Sequence, residues 1–413
     1  MIIFIIASVQ SLDVQLINLQ QVYYSVPITA NNFTYNLIVD TGSDTLWIFG
    51  RQNDRRKYYE CNNCQAIMHK RLDYGLGSIQ GTQFTQLFEF GNQSLNLSVV
   101  EVERVQDLES LIADGIIGLS KQYPDSDANL IDLLYNHTII DAKQFGLLLS
   151  DQICSANSLL TLGKPNTSNY VGQLQYVNTT KSDLWNVYAN SVLISNGSHQ
   201  QMLESNKQLI LFDSGTSKIM LSTRKFHSLH NIFNDDYNLH CEQVKHNYFH
   251  ELVCHYTTQF PHLILNINSQ LNLTLLPQDY ISYCGYNYFL QYRCYLNFQN
   301  LDNDDEIILG VVFLQKYYTH YDLEAKQVGI AQSIYYNRDK LSVSELGNQY
   351  NYNMLYLSFM SIPILVMMII LSMNIIRMKQ NSDEMAQSSE GGRQQRGQEQ
   401  EMEPITFSVQ SAR

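Results

Sequence analysis

The chain has 413 residues, of which 45% are hydrophobic, so it is long enough for two domains with a sizeable core. Its formal net charge of −13 argues against nucleic-acid binding. Seven cysteines and eight Asn-x-Ser/Thr sequons indicate an oxidising, glycosylating compartment. The sequons begin at Asn32, Asn92, Asn96, Asn136, Asn166, Asn178, Asn196 and Asn272.

Residues 1–7 form an apolar run that is followed by small and polar residues. This pattern is typical of a secretory signal, so we predict a signal peptide over residues 1–11 with cleavage near Ala7–Ser11. Because no lysine or arginine precedes the apolar run, a buried first strand is the alternative interpretation.

The segment Val22–Ile48 alternates and is rich in β-branched residues, which predicts paired strands. Within it, the apolar residues Leu37–Val39 lead into Asp40, and Thr41-Gly42-Ser43 follows at once. A strand here delivers a carboxylate to a tight loop, where Gly42 lets the backbone approach a partner closely. Alone, such a loop is also an ordinary turn at a strand end.

Cys61 and Cys64 are separated by two asparagines in a charged, tyrosine-rich loop. A Cys-x-x-Cys motif can be a redox or zinc site, but no second cysteine pair, histidine cluster or βαβ pattern accompanies it. We therefore predict a small structural disulfide, Cys61–Cys64. The eleven histidines show no metal-ligand spacing, so no metal site is predicted.

The stretch Tyr74-Gly75-Leu76-Gly77-Ser78 places glycines on both sides of a strand-like residue. It predicts a hairpin whose tip glycines permit positive φ and hinge motion. The alternative is an ordinary hairpin that happens to contain one of the 28 tyrosines.

The sequence around the first aspartate recurs at residues 209–216, where Leu-Ile-Leu-Phe leads into Asp213-Ser-Gly-Thr, 173 positions after Asp40. Each copy is followed downstream by a second similar segment with an apolar-apolar-Gly pattern, Asp114–Leu119 after the first copy and Ile307–Val311 after the second. Two similar halves of this kind predict two lobes that meet at a pair of carboxylates. The predicted lobes are residues 12–175 and 176–338.

These motifs resemble those of the pepsin-like aspartic proteases and keep that family's order from about Val22 to Ser333. The resemblance implies an all-β, bilobal fold with an active-site cleft between two β-rich lobes. It implies an aspartic endopeptidase in which a water molecule is activated between Asp40 and Asp213, acting as a monomer without a cofactor. The expected substrates are peptides or proteins bound in an extended conformation, with apolar side chains flanking the scissile bond.

The resemblance also implies a role for each neighbour of the two aspartates. Gly42 and Gly215 bring backbone N–H groups near the carboxylates, Thr41 and Ser214 tie the two loops together, and Ser43 and Thr216 hydrogen-bond the outer carboxylate oxygens. The hairpin resembles the family's flap, which closes over substrate. Its implied members are Tyr74, Gly75, Gly77 and Ser78, with Trp47 as the hydrogen-bond partner of Tyr74.

Two positions depart from the family pattern. Ser214 replaces a commoner threonine and keeps the hydroxyl. Val311 stands where many acid-active relatives carry an aspartate, so a negative charge or a hydrogen bond near the second loop is lost. We therefore expect an optimum at mildly acidic rather than strongly acidic pH.

Five further cysteines lie beyond the Cys61–Cys64 loop. Family precedent implies a Cys254–Cys294 disulfide, and Cys241–Cys284 is then a conjecture. Cys154 is left over as a free thiol, an intermolecular bridge or a sign of wrong pairing. Family members usually carry an inhibitory prosegment; little chain precedes Asp40, so we expect no conventional zymogen step or a start further upstream.

The C-terminal region predicts a membrane anchor. Leu355–Ile376 contains no charged side chain, and at ~1.5 Å per residue a helix of this length spans roughly 33 Å, enough for the hydrocarbon core. Arg377 and Lys379 follow, which places the C-terminus in the cytoplasm. The prediction is a stalk at 339–353, contact with membrane lipid through 354–376 and a disordered tail at 377–413.

This arrangement is that of a single-pass type I membrane protein whose folded part is lumenal or extracellular, in an endolysosomal or vacuolar compartment or at the cell surface. Two other function classes stay open. A catalytically inactive binding or receptor protein is the alternative, although both aspartates, both glycines, the hydroxyls and the flap tyrosine are present. A structural or adhesion glycoprotein would not require both loops intact.

Overall fold

A computed structural model of the protein describes residues 11–51, 57–61, 64–75, 77–90, 93–121, 130–151, 157–246, 249–287, 291–301 and 306–336. All of them belong to one compact unit, Met1–Gly347. Residues 1–10 of the predicted signal peptide, the stalk, the apolar segment 354–376, the tail and Cys154 lie outside the described residues. Among the described residues, no helix has the length and apolarity that crossing a membrane requires.

The fold is built almost entirely from strands. Those of the first half are β1 (Leu12–Gln15), β2 (Ile17–Leu19), β3 (Tyr23–Ala30), β4 (Phe33–Asp40), β5 (Trp47–Phe49), β6 (Met68–Asp73), β7 (Ser78–Phe90), β8 (Gln93–Gln106), β9 (Gly115–Gly118), β10 (Gln144–Leu148), β11 (Leu159–Leu162) and β12 (Tyr170–Asn178).

The strands of the second half are β13 (Asn186–Ala189), β14 (Ser191–Ser195), β15 (Gln200–Glu204), β16 (Gln208–Phe212), β17 (Ile219–Ser222), β18 (Glu242–His246), β19 (Phe249–His255), β20 (His262–Asn266), β21 (Asn272–Leu275), β22 (Ile281–Tyr286), β23 (Tyr292–Leu301), β24 (Ile307–Leu309), β25 (Tyr317–Asp322) and β26 (Gln327–Ser333). The helices are α1 (Leu130–Asn136), α2 (Thr223–Asn231), α3 (Pro277–Tyr280) and α4 (Val311–Leu314), with a 3-10 turn at Thr167–Asn169 and a π-helical segment at Ile232–Asp236.

The first lobe is an eight-stranded sheet in the order β2-β3-β4-β9-β5-β8-β7-β6, with a further β3–β7 pairing. At its centre, β4 and β9 run parallel; β9 is buried throughout, and β4 is buried from Leu37 to Asp40. Continuous apolar runs are what a strand covered on both faces requires, which explains why Leu37–Val39 shows no polar alternation.

The second lobe repeats this arrangement in an eight-stranded sheet that contains β13-β16-β24-β17-β23-β19-β18, with β22 beside β23. Here β16 and β24 are the parallel pair. A four-stranded sheet, β15-β14-β20-β21, completes the lobe. The predicted internal repeat therefore corresponds to equivalent strands in the two lobes, and the strand-rich bilobal fold is confirmed.

A third, six-stranded sheet joins the halves in the order β1-β11-β10-β25-β26-β12. Its strands come from both halves of the chain, and the predicted lobe boundary at 175/176 falls inside β12. Trp185, which is fully buried, donates from Nε1 to the carbonyl of Leu119 at 2.9 Å. The lobes thus share a core as well as a sheet.

The structure contains the predicted Cys61–Cys64 disulfide. It corrects the prediction of Cys254–Cys294, because the bonds formed are Cys241–Cys254 and Cys284–Cys294.

The reason for this pairing is a row of four cysteines across four neighbouring strands. Cys254 and Cys294 do face each other in register, and Cys284 faces Cys294 from the other side. Joining the central pair would leave Cys241 and Cys284 three strand spacings apart, roughly 14 Å, which no disulfide spans. When each central cysteine instead pairs with its outer neighbour, all four cysteines form disulfides, with Cα–Cα distances of 3.8 Å for Cys241–Cys254 and 4.0 Å for Cys284–Cys294.

Candidate active site

Asp40 is the last residue of β4, where the parallel partner strand β9 ends at Gly118. A Cβ at Gly118 would lie 2.5 Å from the backbone of the loop that follows Asp40, so only glycine lets β9 pass this close. The segment Asp114–Leu119, identified above as part of the repeat, thus contains β9, the strand against which the aspartate loop packs.

Asp213 occupies the equivalent place in the second lobe, directly after β16. The parallel partner β24 ends beside it, and a Cβ at Gly310 would lie 2.3 Å from the carbonyl oxygen of Thr216. Both aspartates are buried, with 4% and 8% of their surface exposed. The predicted repeat therefore brings two carboxylates to one point between the lobes.

Each carboxylate receives the same two hydrogen bonds from its own loop. Gly42 N–H donates to Asp40 Oδ1 at 2.8 Å, and Gly215 N–H donates to Asp213 Oδ1 at 2.8 Å. The outer oxygens accept from hydroxyls, Ser43 to Asp40 Oδ2 at 2.5 Å and Thr216 to Asp213 Oδ2 at 2.5 Å. Hydrogen bonds to a carboxylate favour its ionised form.

A reciprocal set of hydrogen bonds ties the two loops together beneath the carboxylates. Thr41 Oγ1 donates to the carbonyl of Phe212 at 2.8 Å, and Ser214 Oγ donates to the carbonyl of Val39 at 2.6 Å. Each hydroxyl also accepts from the other loop's backbone N–H at 3.0 Å. Ser214 therefore fills the role expected of the commoner threonine.

The two glycines are required by the opposite loop. A Cβ on Gly42 would lie 2.7 Å from Asp213 Oδ1, and a Cβ on Gly215 would lie 2.4 Å from Asp40 Oδ1. Any larger residue would push the carboxylates apart.

Electrostatics favour a shared proton. Burial, followed by the charge of Asp213, raises the pKa of Asp40 above its ordinary value. Tyr23 lies close enough that its pKa is raised by burial and by both carboxylates. Two like charges that cannot both ionise easily leave one acid and one base at the same site.

The predicted flap is the hairpin of β6 and β7. Tyr74 and Gly77 close its turn with backbone hydrogen bonds of 2.7 and 3.3 Å. Trp47 Nε1 donates to the Tyr74 hydroxyl at 2.7 Å, as expected. Ser78, the first residue after the turn, is buried and accepts from Arg71.

The hairpin glycines were expected to permit positive φ. Among the described residues, the glycines that adopt positive φ are Gly163, Gly172 and Gly197. Gly77 is required for space instead, because a Cβ there would lie 2.1 Å from the carbonyl oxygen of Gln106 on β8.

Comparison with known proteins decides the family. The profile of the eukaryotic aspartyl protease family matches residues 21–333. The chain belongs to this family. With pepsin and chymosin among its relatives, it is an aspartic endopeptidase.

The relatives have low sequence identity to this chain, but the alignments cover about three quarters of each protein. Bovine (Bos taurus) chymosin is 26% identical over 316 residues, which cover 73% of this chain and 77% of chymosin. Vacuolar protease A of Arthroderma otae is 23% identical over 344 residues, covering 76% and 78% of the two chains. The crystal structure of the aspartic proteinase from Irpex lacteus superposes with a TM-score of 0.65 at 21% identity, covering 80% of this chain and all of that one.

The cleft of this aspartic protease is a cavity of about 330 Å³ above the two carboxylates. Tyr74 and Gly75 of the flap line it, together with Tyr23. Its apolar lining comes from both lobes: Ile38, Leu108, Leu111 and Ile116 from the first, and Leu211, Met220, Leu301 and Ile308 from the second.

The sequence analysis did not identify this lining, although part of it could have been found. Ile38 and Leu211 each precede an aspartate by two positions, and alternation in a strand places such residues on the same face. Leu108 and Leu111 come from the turn after β8, and no local pattern distinguishes them.

Proposed function

We propose that Asp40 and Asp213 are the catalytic pair and hydrolyse peptide bonds with a water molecule held between them. The observation that supports this proposal is the mirrored geometry, in which two buried carboxylates receive identical hydrogen bonds from loops that are tied to each other. A pair that only stabilised the fold would not require both glycines to be open towards the opposite carboxylate.

The reaction follows from one proton shared by the pair. The ionised carboxylate accepts a proton from water, and the resulting hydroxide-like oxygen attacks the scissile carbonyl carbon while the protonated carboxyl donates to the carbonyl oxygen. The tetrahedral diol then collapses: the carboxyl that took the proton from water donates it to the amide nitrogen, the C–N bond breaks, and one diol hydroxyl gives its proton to the other carboxylate, which restores the shared proton. Because the pKa belongs to the pair, activity falls as rising pH removes the shared proton.

The supporting residues hold this geometry. Thr41 and Ser214 fix the separation of the loops, and Ser43 and Thr216 keep the outer oxygens as acceptors. Tyr74 covers the cleft from the flap, anchored by Trp47. The substrates are extended peptides with apolar side chains on both sides of the scissile bond, since both walls of the cleft are apolar.

The test is cleavage of a quenched peptide library by the purified lumenal part, residues 12–345, between about pH 3 and pH 7, the range over which carboxyl pairs titrate. Wild-type protein should cleave, a statine-type transition-state mimic should inhibit, and Asp40→Asn should be inactive. Folded wild-type protein that neither cleaves nor binds the inhibitor would overturn the proposal.

We also propose that residues 354–376 anchor the protease as a type I membrane protein. The support is the charge-free sequence of this segment and the basic residues Arg377 and Lys379 beyond it. The full chain should remain with membranes after carbonate extraction, and a tag at the C-terminus should be protected inside sealed vesicles only if that end is lumenal. Release by carbonate, or a protected tag, would contradict this topology.

A further inference from the structure

A second cavity, of about 350 Å³, lies where the turn before β3 meets the second lobe. Gln20, Gln21 and Val22 form one wall, Gln278 comes from α3, and Gln315 directly follows α4. Like the cleft, it is built by both halves of the chain. Unlike the cleft, most of its lining residues have polar side chains, and five of these are amides.

This cavity continues the substrate cleft. Ser217 lines both cavities, and the consecutive residues Val22 and Tyr23 line one each. A second bridge is formed by Glu251, which accepts from Lys218 in the polar cavity and from Gln299 in the cleft. A peptide that leaves the cleft over Ser217 therefore enters the polar cavity.

The turn at the mouth of the cavity holds its side chains in place. Gln20 and Gln21 both have left-handed backbone angles, with φ of 59° and 61°, which residues with a side chain rarely adopt. Gln21 N–H donates to Asn18 Oδ1 at 2.7 Å, and its side-chain amide donates to the backbone carbonyl of Asp151 at 2.6 Å. Such constrained conformations concentrate where ligands are held.

The charges of the cavity leave one carboxylate unbalanced. Lys218 pairs with Glu251, and Asp279 pairs with Lys316 at 2.7 Å. Asp151 also lines the cavity, is half-buried and takes part in none of the ion pairs formed by the described residues. A cation that enters the cavity would therefore meet a negative charge that no described basic residue pairs with, whereas an anion would be repelled.

We propose that this cavity is a specificity subsite for a basic side chain, lysine or arginine, of the same peptide substrate. Asp151 supplies the opposite charge, and the amides around it accept the remaining N–H groups of the ammonium or guanidinium. The inference rests on the proposed function, because it describes how the same cleft selects its peptides. Selection is then divided between apolar residues at the scissile bond and a basic residue further along the chain.

The test uses peptides that differ only in carrying lysine, glutamine or glutamate at one position, moved in turn along the sequence. At one position away from the scissile bond, kcat/KM for lysine should exceed that for glutamine by about tenfold, the effect of one charge-assisted contact. Asp151→Asn should bring the lysine-to-glutamine ratio close to one. Asp235→Asn, an exposed carboxylate outside both cavities, is the matched control and should leave the ratio unchanged.

Two further measurements keep the inference separable from the catalytic proposal. The lysine-to-glutamine ratio of the wild-type protein should fall as ionic strength rises from about 0.05 M to about 0.5 M, which needs no variant. Affinities for statine peptides carrying lysine or glutamine test the subsite without turnover. Cleavage or statine binding without a lysine preference, or with a preference that survives Asp151→Asn, overturns the inference alone; absence of both overturns the catalytic proposal and the inference with it.

Discussion

The two lobes offer a direct comparison, because equivalent strands carry Asp40 and Asp213 to the same point with the same hydrogen bonds. The lobes differ at the strands β5 and β17, which lie beside β9 and β24. Trp47 in the first lobe is fully buried and donates to Tyr74 of the flap, whereas its register equivalent Met220 lines the cleft. The equivalent trios are Ile38, Ile116 and Trp47 in the first lobe and Leu211, Ile308 and Met220 in the second.

This difference separates two requirements. In the proposed mechanism the pair is symmetric, since either carboxylate must be able to hold the shared proton. The proposed flap covers the cleft from one lobe only, so Trp47 anchors the hairpin in the first lobe, whereas Met220 forms part of an apolar wall in the second. Mutations in the symmetric part should therefore have equal effects in the two lobes, and mutations in the asymmetric part should not.

The largest effect is expected at the carboxylates. Asp40→Asn and Asp213→Asn should each lower kcat by at least about 10³-fold, because each removes the only acid–base partner of the other. Both variants should stay folded, since an amide can keep the loop hydrogen bonds. Steady-state cleavage of a quenched peptide is the measurement, with Asp44→Asn, an exposed carboxylate of the same loop, as the control. Substantial activity in only one of the two variants would break the proposed symmetry.

The loop-to-loop hydrogen bonds should come next. Thr41→Val and Ser214→Ala each remove a buried hydroxyl that donates to one loop carbonyl and accepts from one N–H. Each should lower the free energy of unfolding by about 1–3 kcal/mol, measured by urea denaturation. The double variant should cost less than the sum, because both hydroxyls hold the same two loops together and loss of the first already loosens them. Strictly additive or very unequal losses would show that the tether is not reciprocal.

The flap should give a smaller effect that is confined to one lobe. Tyr74→Phe removes the acceptor of the Trp47 N–H and should lower kcat/KM about tenfold, the worth of one such hydrogen bond. Met220→Leu, at the equivalent position of the other lobe, should change kcat/KM by less than about threefold, because it conserves volume. Equal losses in the two variants would mean that the flap anchor contributes no more than packing.

The sequence predictions succeeded for the aspartate loops and failed for contacts between distant strands. The aspartate loops were predicted from a repeated motif, and the roles of their hydroxyls and the Trp47–Tyr74 contact were predicted from the resemblance to the family. The Cys254–Cys294 and Cys241–Cys284 pairings were wrong because pairing in the second lobe depends on the lateral order of β18, β19, β23 and β22, which is not encoded in the spacing of the cysteines.

The polar cavity was missed for a similar reason. Its walls come from the turn before β3, the loop before β17, and the helices α3 and α4, which are distant in sequence and share no motif. The glycines of the flap were assigned to turn formation, whereas Gly77 is required by the approach of β8. Close contacts between distant strands leave no local signature in either case.

The smallest expected effect is a shift in the pH dependence of activity. It tests whether Val311, beside the Asp213 loop only, sets the working pH. Val311 is fully buried and its N–H donates to the carbonyl of Thr216 at 2.8 Å, while the Thr216 hydroxyl donates to Asp213. A protonated carboxyl at position 311 could add a hydrogen bond to this loop and so favour ionised Asp213. Val311→Asp should therefore lower the pKa of the pair and move the acid limb of the rate profile down by about half to one pH unit.

Val311→Ala is the control, because it opens the same space without adding a polar group, and its acid limb should stay where the wild-type limb lies. Initial rates should be compared with unfolding midpoints at each pH, since a buried carboxyl also costs stability. A wild-type optimum below about pH 3, together with an unmoved profile in Val311→Asp, would show that the apolar residue does not set the working pH. The pH range would then be determined by features common to both loops, and the asymmetry between the lobes would concern substrate binding alone.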